Sequence, residues 1–182
     1  MHAHRDVDIS SIVNFEGGAQ PPKSEHIYEK RPGYIRFIQN RDYGSDSHIT
    51  FIPISKRNKT CSADDILLDK YGEAGAVRYG LAGAYNVALL KVIPSLPNTK
   101  EWIRDFLSQD IVEKQLFQSS QASTRPSLNE STFLGMKIPL PSEKDLEEYE
   151  RRGRALLLWE LSFAAKIVKL RGIKATLLKK YF

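Results

Sequence analysis

The pattern of apolar and polar positions changes near Pro94. Before it, short apolar runs separated by glycine, proline and polar turn residues predict a series of strands. These runs cover residues 9–13, 34–39, 49–52, 65–68 and 85–93. Between the last two runs lie four glycines that predict hairpin turns or close backbone approach: Gly72, Gly75, Gly80 and Gly83. We therefore expect a β-rich body.

After Pro97 the apolar spacing becomes helical. Asn98 followed by Glu101 is typical of a capping pair and predicts one helix that continues to about Leu116. Three large apolar side chains would form its buried face: Trp102, Phe106 and Ile111. A polar loop over residues 118–126 follows, and the run 138–141 closes the body.

A second, much longer helix is predicted to begin at Ser142 and Asp145. Its roughly 40 residues, at about 1.5 Å each, would span roughly 60 Å, which exceeds what the body needs for its own core. Apolar residues recur every three or four positions along it, as in a coiled coil, and a second apolar line runs beside them. Five seam positions are predicted to meet a partner helix: Leu156, Phe163, Ile167, Leu170 and Leu177. The alternative is a terminal helix folded flat on its own body.

Composition limits the class of protein further. The chain has 182 residues, 41% of them hydrophobic, and a net charge of +5. Residues 142–182 hold 10 basic and 6 acidic residues, so +4 of this surplus belongs to the long helix. There is no signal-peptide pattern and no apolar run long enough for a membrane span, so we expect a soluble, cytoplasmic protein. A single cysteine, Cys61, excludes an internal disulfide.

Catalytic and metal-binding motifs fail when they are tested. Gly75 and Gly80 have the spacing of a phosphate-binding loop, but Leu81 and Ala82 follow where Lys and Ser or Thr are required. No dinucleotide fingerprint, base-flipping motif or nuclease carboxylate–lysine pair occurs. Three acidic residues recur at spacing four, but on a strand the first two would lie roughly 13 Å apart, too far to chelate one ion: Asp65, Asp69 and Glu73. We therefore expect no catalytic centre, no metal and no cofactor in this chain.

Four segments place basic residues beside aromatic and turn residues: 41–44, 56–59, 70–72 and 78–80. Lys and Arg contact DNA phosphates, and Arg also pairs with guanine through two hydrogen bonds. A solvated turn explains any single segment equally well, and only their number favours a DNA-binding body. Nine residues are predicted to face DNA: Lys23, Arg41, Tyr43, Lys70, Tyr71, Arg78, Tyr79, Gln121 and Arg125.

The order of these pieces resembles the specificity (S) subunits of type I restriction–modification systems. The resemblance covers roughly residues 9–182 and rests on Gly17–Pro21, Gly33–Asp42, Asp65–Leu68 with Tyr71–Gly75, Tyr85–Leu89, and Ile138–Pro141 directly before the long helix. Asp64 departs from the glycine usual before the D-I-L element, and Ser142–Asp145 lacks the glutamine-bearing helix start. Most S subunits also carry two domains and two helices, whereas this sequence has one of each.

The resemblance implies an α+β fold, with a β-rich target-recognition domain with a few helices at residues 1–141 and a coiled-coil-forming helix at 142–182. The domain would bind a half-site of double-stranded DNA, and the helix would pair with its counterpart in a homodimer. Methylation would belong to methyltransferase (M) subunits that bind S-adenosylmethionine, which nuclease–translocase (R) subunits can join. Two alternatives stay open: a protein-interaction module that never meets DNA, and the recognition domain of a single-chain methyltransferase–nuclease.

Overall fold

A computed structural model describes residues 4–121 and 127–182. These residues form ten strands and three α-helices. The strands are β1 (Arg5–Asp8), β2 (Val13–Gly17), β3 (Tyr34–Ile38), β4 (Thr50–Pro53), β5 (Thr60–Cys61), β6 (Ile66–Asp69), β7 (Val77–Arg78), β8 (Gly83–Tyr85), β9 (Leu89–Pro94) and β10 (Lys137–Leu140). The helices are α1 (Lys100–Leu107), α2 (Asp110–Ser120) and α3 (Glu143–Tyr181). The predicted class, a β-rich α+β body followed by one long helix, is confirmed.

The strands form three sheets. One has the order β2-β9-β6-β7, the second has the order β4-β3-β8-β5, and β1 pairs with β10 in a third. All pairs are antiparallel except β3 with β8. The chain therefore crosses between the two larger sheets several times, and both belong to one body.

Strand β6 is buried on both faces because it lies between two parts of the core. Ile66 and Leu68 point into the main core, which also contains apolar side chains of α1 and α2. Leu67, on the opposite face, packs in a smaller core with Ile38 and Tyr85. Since alternate residues of a strand point to opposite faces, the continuous apolar run at 66–68 is the pattern expected for this position.

Two of the predicted strands are wrong in their limits. Residues 9–11 form a 3₁₀ turn rather than a strand; the Ser11 hydroxyl donates to the Asp8 carbonyl at 2.6 Å, and the strand begins only at Val13. The apolar run 85–93 is broken at Asn86, whose side-chain oxygen accepts from the Ala88 amide at 3.1 Å. An Asn side chain of this kind replaces a ladder bond and turns the chain, so β8 and β9 enter different sheets.

The predicted single helix over residues 98–116 is also wrong. Asn98 has a φ of 57° and lies outside the helix, and Thr99 precedes its first turn. The helix ends at Leu107, and α2 begins after Gln109 in a new direction. This break leaves Ile111 73% exposed, because the helical phase that would have buried it does not continue through residue 108. Trp102 and Phe106 do pack against the main core.

The start of the long helix is confirmed. The Ser142 hydroxyl accepts from the Asp145 amide at 3.3 Å, which satisfies one of the free amides of the first turn. Only Leu146 and Leu157 are buried within α3, and every residue from 162 to 182 is exposed. The helix is therefore attached to the body along its first half alone. None of the helices in the described part of the chain has the length and apolarity of a membrane span.

Candidate nucleic-acid interface

Two loops at one end of the β4-β3-β8-β5 sheet lie side by side: residues 18–33, which lead into β3, and residues 54–58, which leave β4. Strand pairing fixes this contact, because the Ile54 amide donates to the Gly33 carbonyl at 2.9 Å and the Ile27 amide to the Phe51 carbonyl at 3.0 Å. Between the loops lies a cleft of about 510 Å³, lined by residues 19–22 and Glu25 on one side and by Pro53, Ser55, Arg57 and Asn58 on the other. We call these two loops the basic loop surface.

The basic loop surface carries cations that are free to bind another molecule. Five exposed basic side chains make no ion pair with any other described residue: Lys23, Lys30, Arg31, Lys56 and Arg57. Only Glu25 and Glu29 oppose them in these loops, so five positive charges against two negative ones leave a surplus of three. Unpaired surface cations of this kind contact phosphates and release the counterions condensed on DNA.

Basic residues elsewhere on the body are mostly paired. Lys91 lies 2.6 Å from Asp65, Lys100 lies 2.9 Å from Asp64, and Arg36 lies 3.0 Å from Asp46. Asp65, one of the three acidic residues considered above as metal ligands, is therefore held by lysine. In the described part of the chain no three His, Cys, Asp or Glu side chains come together in a way that would hold a metal ion.

Close packing holds the first of these loops against the sheet. A Cβ atom at Gly18 would lie 1.9 Å from the Asn86 carbonyl oxygen, so only glycine fits there. The Gly18 amide donates to Leu89 and the Ala19 amide to Tyr85, at 3.2 and 3.1 Å. The Gly-Gly-Ala-Gln-Pro segment is thus the point where the loop is fixed to the turn between β8 and β9.

A polar network lies beneath the same loops. The Tyr85 hydroxyl donates to Glu16 at 2.8 Å, and Lys59 forms an ion pair with the same carboxylate at 2.8 Å. The hydrogen bond from Lys59 lowers the pKa of Glu16 below its ordinary value. Since Glu16 precedes the first loop and Lys59 follows the second, this network ties their outer ends together.

Of the nine residues predicted to face DNA, Lys23 lies in the basic loop surface. Arg41 is exposed in the 3₁₀ turn after β3, and the nearest acidic atom, on Asp42, is 3.9 Å away. Lys70 and Tyr71 are neighbours, with the ammonium group 5.9 Å from the ring centre. Gln121 is exposed at the end of α2, and Arg125 lies outside the described residues.

Lys70 and Tyr71 are connected to the basic loop surface through one short turn. The Lys70 amide donates to the Ala88 carbonyl at 2.8 Å, in the same 86–88 turn against which Gly18 packs. The structure therefore places Lys70 and Tyr71 beside the loop that holds Lys23, although Lys23 and Lys70 are 47 positions apart in the sequence.

Arg78 and Tyr43 instead have internal partners. Arg78 donates through Nε and Nη2 to the buried Asp69 carboxylate at 3.1 and 2.7 Å, and Nη2 also reaches Glu73. Its guanidinium lies 5.9 Å from the Tyr43 ring centre, and burial raises the pKa of Tyr43. These contacts account for both side chains within the fold, and their predicted role toward DNA stays a prediction.

Tyr79 points toward the long helix. Its hydroxyl donates to the Glu160 carboxylate at 3.0 and 3.2 Å, and the Arg104 guanidinium lies 5.4 Å from its ring centre. The helix itself leaves the five predicted seam residues between 48% and 64% exposed: Leu156, Phe163, Ile167, Leu170 and Leu177. This apolar face is available to a partner helix, and such pairing remains a prediction.

Sequence reasoning missed Lys30 and Arg31 and left Lys56 and Arg57 out of the predicted set. The 56–59 segment did carry a signal, since it holds three basic residues beside Asn58. Nothing in the sequence showed that it would lie against residues 30–33, because that neighbourhood depends on the antiparallel register of β3 with β4.

Comparison with known proteins shows which family this sequence and fold resemble. The sequence model described as the type I restriction modification DNA specificity domain matches residues 5–148. A search of curated protein sequences found no match.

Among solved structures, the S subunit of the type I system from M. genitalium superposes with a TM-score of 0.68 at 18% identity, over 98% of this chain and 46% of that one. The HsdS subunit from Thermoanaerobacter tengcongensis gives a TM-score of 0.58 at 19% identity, over 88% of this chain and 39% of that one. A chain from a structure concerned with complex assembly and conformational transition of the type I system gives 0.62 at 19% identity, over 97% and 43%. At these identities the likeness is one of fold, and this chain spans less than half the length of each. With a matched region that runs from β1 into the first turns of α3, the chain belongs to the family of type I restriction–modification DNA specificity domains.

Proposed function

We propose that this chain reads the DNA sequence for a type I restriction–modification system. Its body binds a DNA half-site through the basic loop surface, and the long helix holds that body at a set distance from a second one. The observation that carries the proposal is the group of five unpaired cations on two loops that meet across a cleft, in a member of a DNA specificity family. Lys70 and Tyr71, next to the turn against which the first loop packs, would extend this surface, and the exposed Gln121 at the end of α2 would be a further DNA contact.

In this proposal, other polypeptides carry out methylation and DNA cleavage. Methyltransferase subunits with bound S-adenosylmethionine dock on the assembly and methylate adenine after flipping it out of the duplex. Nuclease–translocase subunits can join them. Two copies of this chain, paired through the exposed seam of α3, would present their bodies symmetrically and read two identical half-sites in inverted orientation.

Salt dependence of DNA binding tests the phosphate contacts. Each phosphate contact adds about 0.9 to the slope of log affinity against log salt concentration, so Lys56→Ala and Arg57→Ala should each lower the slope by about that amount. Lys137→Ala is the matched control, because Lys137 is exposed but pairs with Asp8 at 3.0 Å on the separate β1–β10 sheet. A slope that stays the same in Lys56→Ala and Arg57→Ala would exclude this surface as the phosphate-binding one.

Methylation mapping tests the assembly. Co-expression with a type I methyltransferase subunit from the same genome, followed by sequencing of methylated adenines, should give two identical inverted half-sites with one fixed spacing. Two unrelated half-sites would contradict the homodimer while leaving the specificity role intact. Stable co-purification of that methyltransferase with no sequence-specific methylation would instead favour a protein-interaction module.

A further inference from the structure

The body and the long helix meet at two separate places. On one side, α1 packs along the helix: the Trp102 and Tyr149 rings meet edge to face at 5.0 Å, and the Tyr149 hydroxyl donates to Asp105 at 2.5 Å. The Glu101 amide donates to Glu150 at 2.8 Å, so a helix carboxylate satisfies a free amide of the first turn of α1. On the other side, Tyr79 from the turn between β7 and β8 reaches Glu160 at 3.0 Å. We call these contacts together the junction.

Arg104 connects the two sides of the junction. Its side chain is only 3% exposed and forms an ion pair with Glu101 in α1. It also donates to the Asp64 carbonyl, and its guanidinium lies over the Tyr79 ring. Tyr79 is therefore held between a buried cation and the helix carboxylate that it binds.

The sequence of the helix fits the junction. Gly153 interrupts the apolar seam, and the structure explains why: a Cβ atom there would lie 3.0 Å from the Glu101 Cβ. A larger residue would require the Glu101 side chain or the helix itself to shift. Close approach at Gly153 brings Glu150 and Glu160 within reach of their partners on the body.

Tyr79 also connects the junction to the interior of the sheet. Its neighbour Arg78 is fixed by the buried Asp69 of β6, so two consecutive residues bind the sheet on one side and the helix on the other. Beyond Glu160 only Leu161 is partly buried, packed over Gly80, and the exposed half of the helix begins. The Tyr79–Glu160 pair is thus the last polar contact between body and helix before the free arm.

The length of the free arm amplifies any change at the junction. From Leu161 to Tyr181 the helix rises by roughly 30 Å at about 1.5 Å per residue. A change of about 10° in the angle between body and helix moves the far end by about 5 Å, more than the roughly 3.4 Å rise of one DNA base pair. If the angle at the junction varied by this amount, the distance between two bodies would therefore vary by more than the rise of one base pair.

We infer that Tyr79 and Glu160 are positioning residues that fix the angle between the recognition body and the helix, and thereby restrict the spacing between half-sites that the assembly accepts. This inference rests on the proposed function, in which the helix separates two recognition bodies. In this role the pair acts on the spacing between half-sites and leaves the half-site sequence to the body.

Selection from a random duplex DNA library, with full-length protein and its co-purifying methyltransferase, measures half-site sequence and spacing together. The wild type is expected to enrich one half-site motif at a narrow range of spacings. Tyr79→Phe and Glu160→Ala should enrich the same motif with a spacing range wider by roughly one to two base pairs on each side. Glu160→Gln keeps an oxygen that accepts from Tyr79 and should remain close to the wild type.

Glu147→Ala is the matched control, since Glu147 is exposed on the same helix and makes no hydrogen bond or ion pair with another described side chain. A purely stabilising role for the pair would weaken binding at all spacings equally. Unchanged spacing in both Tyr79→Phe and Glu160→Ala, with the wild type sharply selective, would overturn the inference.

A second measurement, made without DNA, separates the failure of the inference from that of the proposed function. Spin labels at Glu29→Cys and Lys179→Cys, on a Cys61→Ser background and diluted with unlabelled chain, report the distance between body and helix end. The distribution of this distance should widen in Glu160→Ala and stay unchanged in Glu147→Ala. An unchanged width in Glu160→Ala would overturn the inference whether or not the protein binds DNA.

Discussion

Among the residues that the structure describes, two Arg–Glu ion pairs lie within helices, and they differ chiefly in burial. Arg104 and Glu101 lie three residues apart on α1, with side chains 3% and 5% exposed. Arg152 and Glu148 lie four residues apart on α3, with side chains 68% and 49% exposed. Comparing them measures how much an Arg–Glu ion pair contributes to the free energy of unfolding when it is buried and when it is exposed.

Arg104→Ala should destabilise the protein strongly. The truncation leaves the Glu101 carboxylate buried without its cation, which costs about 3–5 kcal/mol when one partner of a buried pair is removed. It also removes the donor to the Asp64 carbonyl and the guanidinium that lies over Tyr79. Arg152→Ala, at the exposed pair, should cost about 0.5 kcal/mol or less, because solvent screens that interaction.

Urea unfolding of both variants beside the wild type measures the difference. With a denaturant slope of about 2 kcal/mol per molar, Arg104→Ala should lower the midpoint by roughly 1.5–2.5 M and leave the slope unchanged. The double variant Glu101→Leu with Arg104→Met should recover most of this loss, since apolar replacement of both partners removes the stranded charge. A midpoint for Arg104→Ala that falls no further than that of Arg152→Ala would refute the reasoning.

Two further predictions concern the body. Since the bond from Lys59 lowers the pKa of Glu16 below 4.5, the carboxylate stabilises the fold above that pH and loses its contribution as pH falls through the lowered value. The stability difference between wild type and Glu16→Gln, measured by unfolding from neutral to acidic pH, should therefore shrink in acid, and a difference that does not change with pH would contradict this. Phe133 is fully buried and stacks on Phe15 at 4.4 Å, so Phe133→Ala should cost about 3–5 kcal/mol, whereas Ile111→Ala should stay within about 0.5 kcal/mol because that side chain is 73% exposed. Thermal and chemical unfolding would measure both losses of stability. Equal losses in the two variants would show that Ile111 is buried.

Local pattern was enough to predict several elements. Residues 34–39 alternate and 65–68 form a short apolar run, and the structure has strands at Tyr34–Ile38 and Ile66–Asp69. The long helix followed from its capping residues and its periodic apolar positions, and it extends from Glu143 to Tyr181. In each case the signal lies within the element itself.

The errors arose where side-chain chemistry breaks an apolar pattern. Asn86 turns the chain within the run 85–93, and the helical phase set by Trp102 ends before Ile111. The spacing of the apolar residues reveals neither the turn at Asn86 nor the end of the first helix. A single Asn in a strand pattern or a Ser-Gln pair in a helix pattern changes the direction of the chain while the apolar positions on either side keep their spacing.

The candidate site was harder to predict because its members are distant in sequence. Arg31 and Lys56 become neighbours through the register of β3 with β4, and Tyr79 finds Glu160 after 81 positions. A basic residue next to an aromatic one looks the same in the sequence whether it faces solvent or, like Arg78, a buried carboxylate.

During synthesis the first strand of the body, β1, cannot pair until the last strand, β10, has been made. Arg5 pairs with Leu140, 135 positions later, and Val13 pairs with Pro94. As the chain leaves the ribosome, β1 therefore has unsatisfied backbone groups until almost the entire body has emerged, and contacts of such long range form slowly. The helix α3 follows β10, so its exposed apolar seam is translated only after every strand that completes the body.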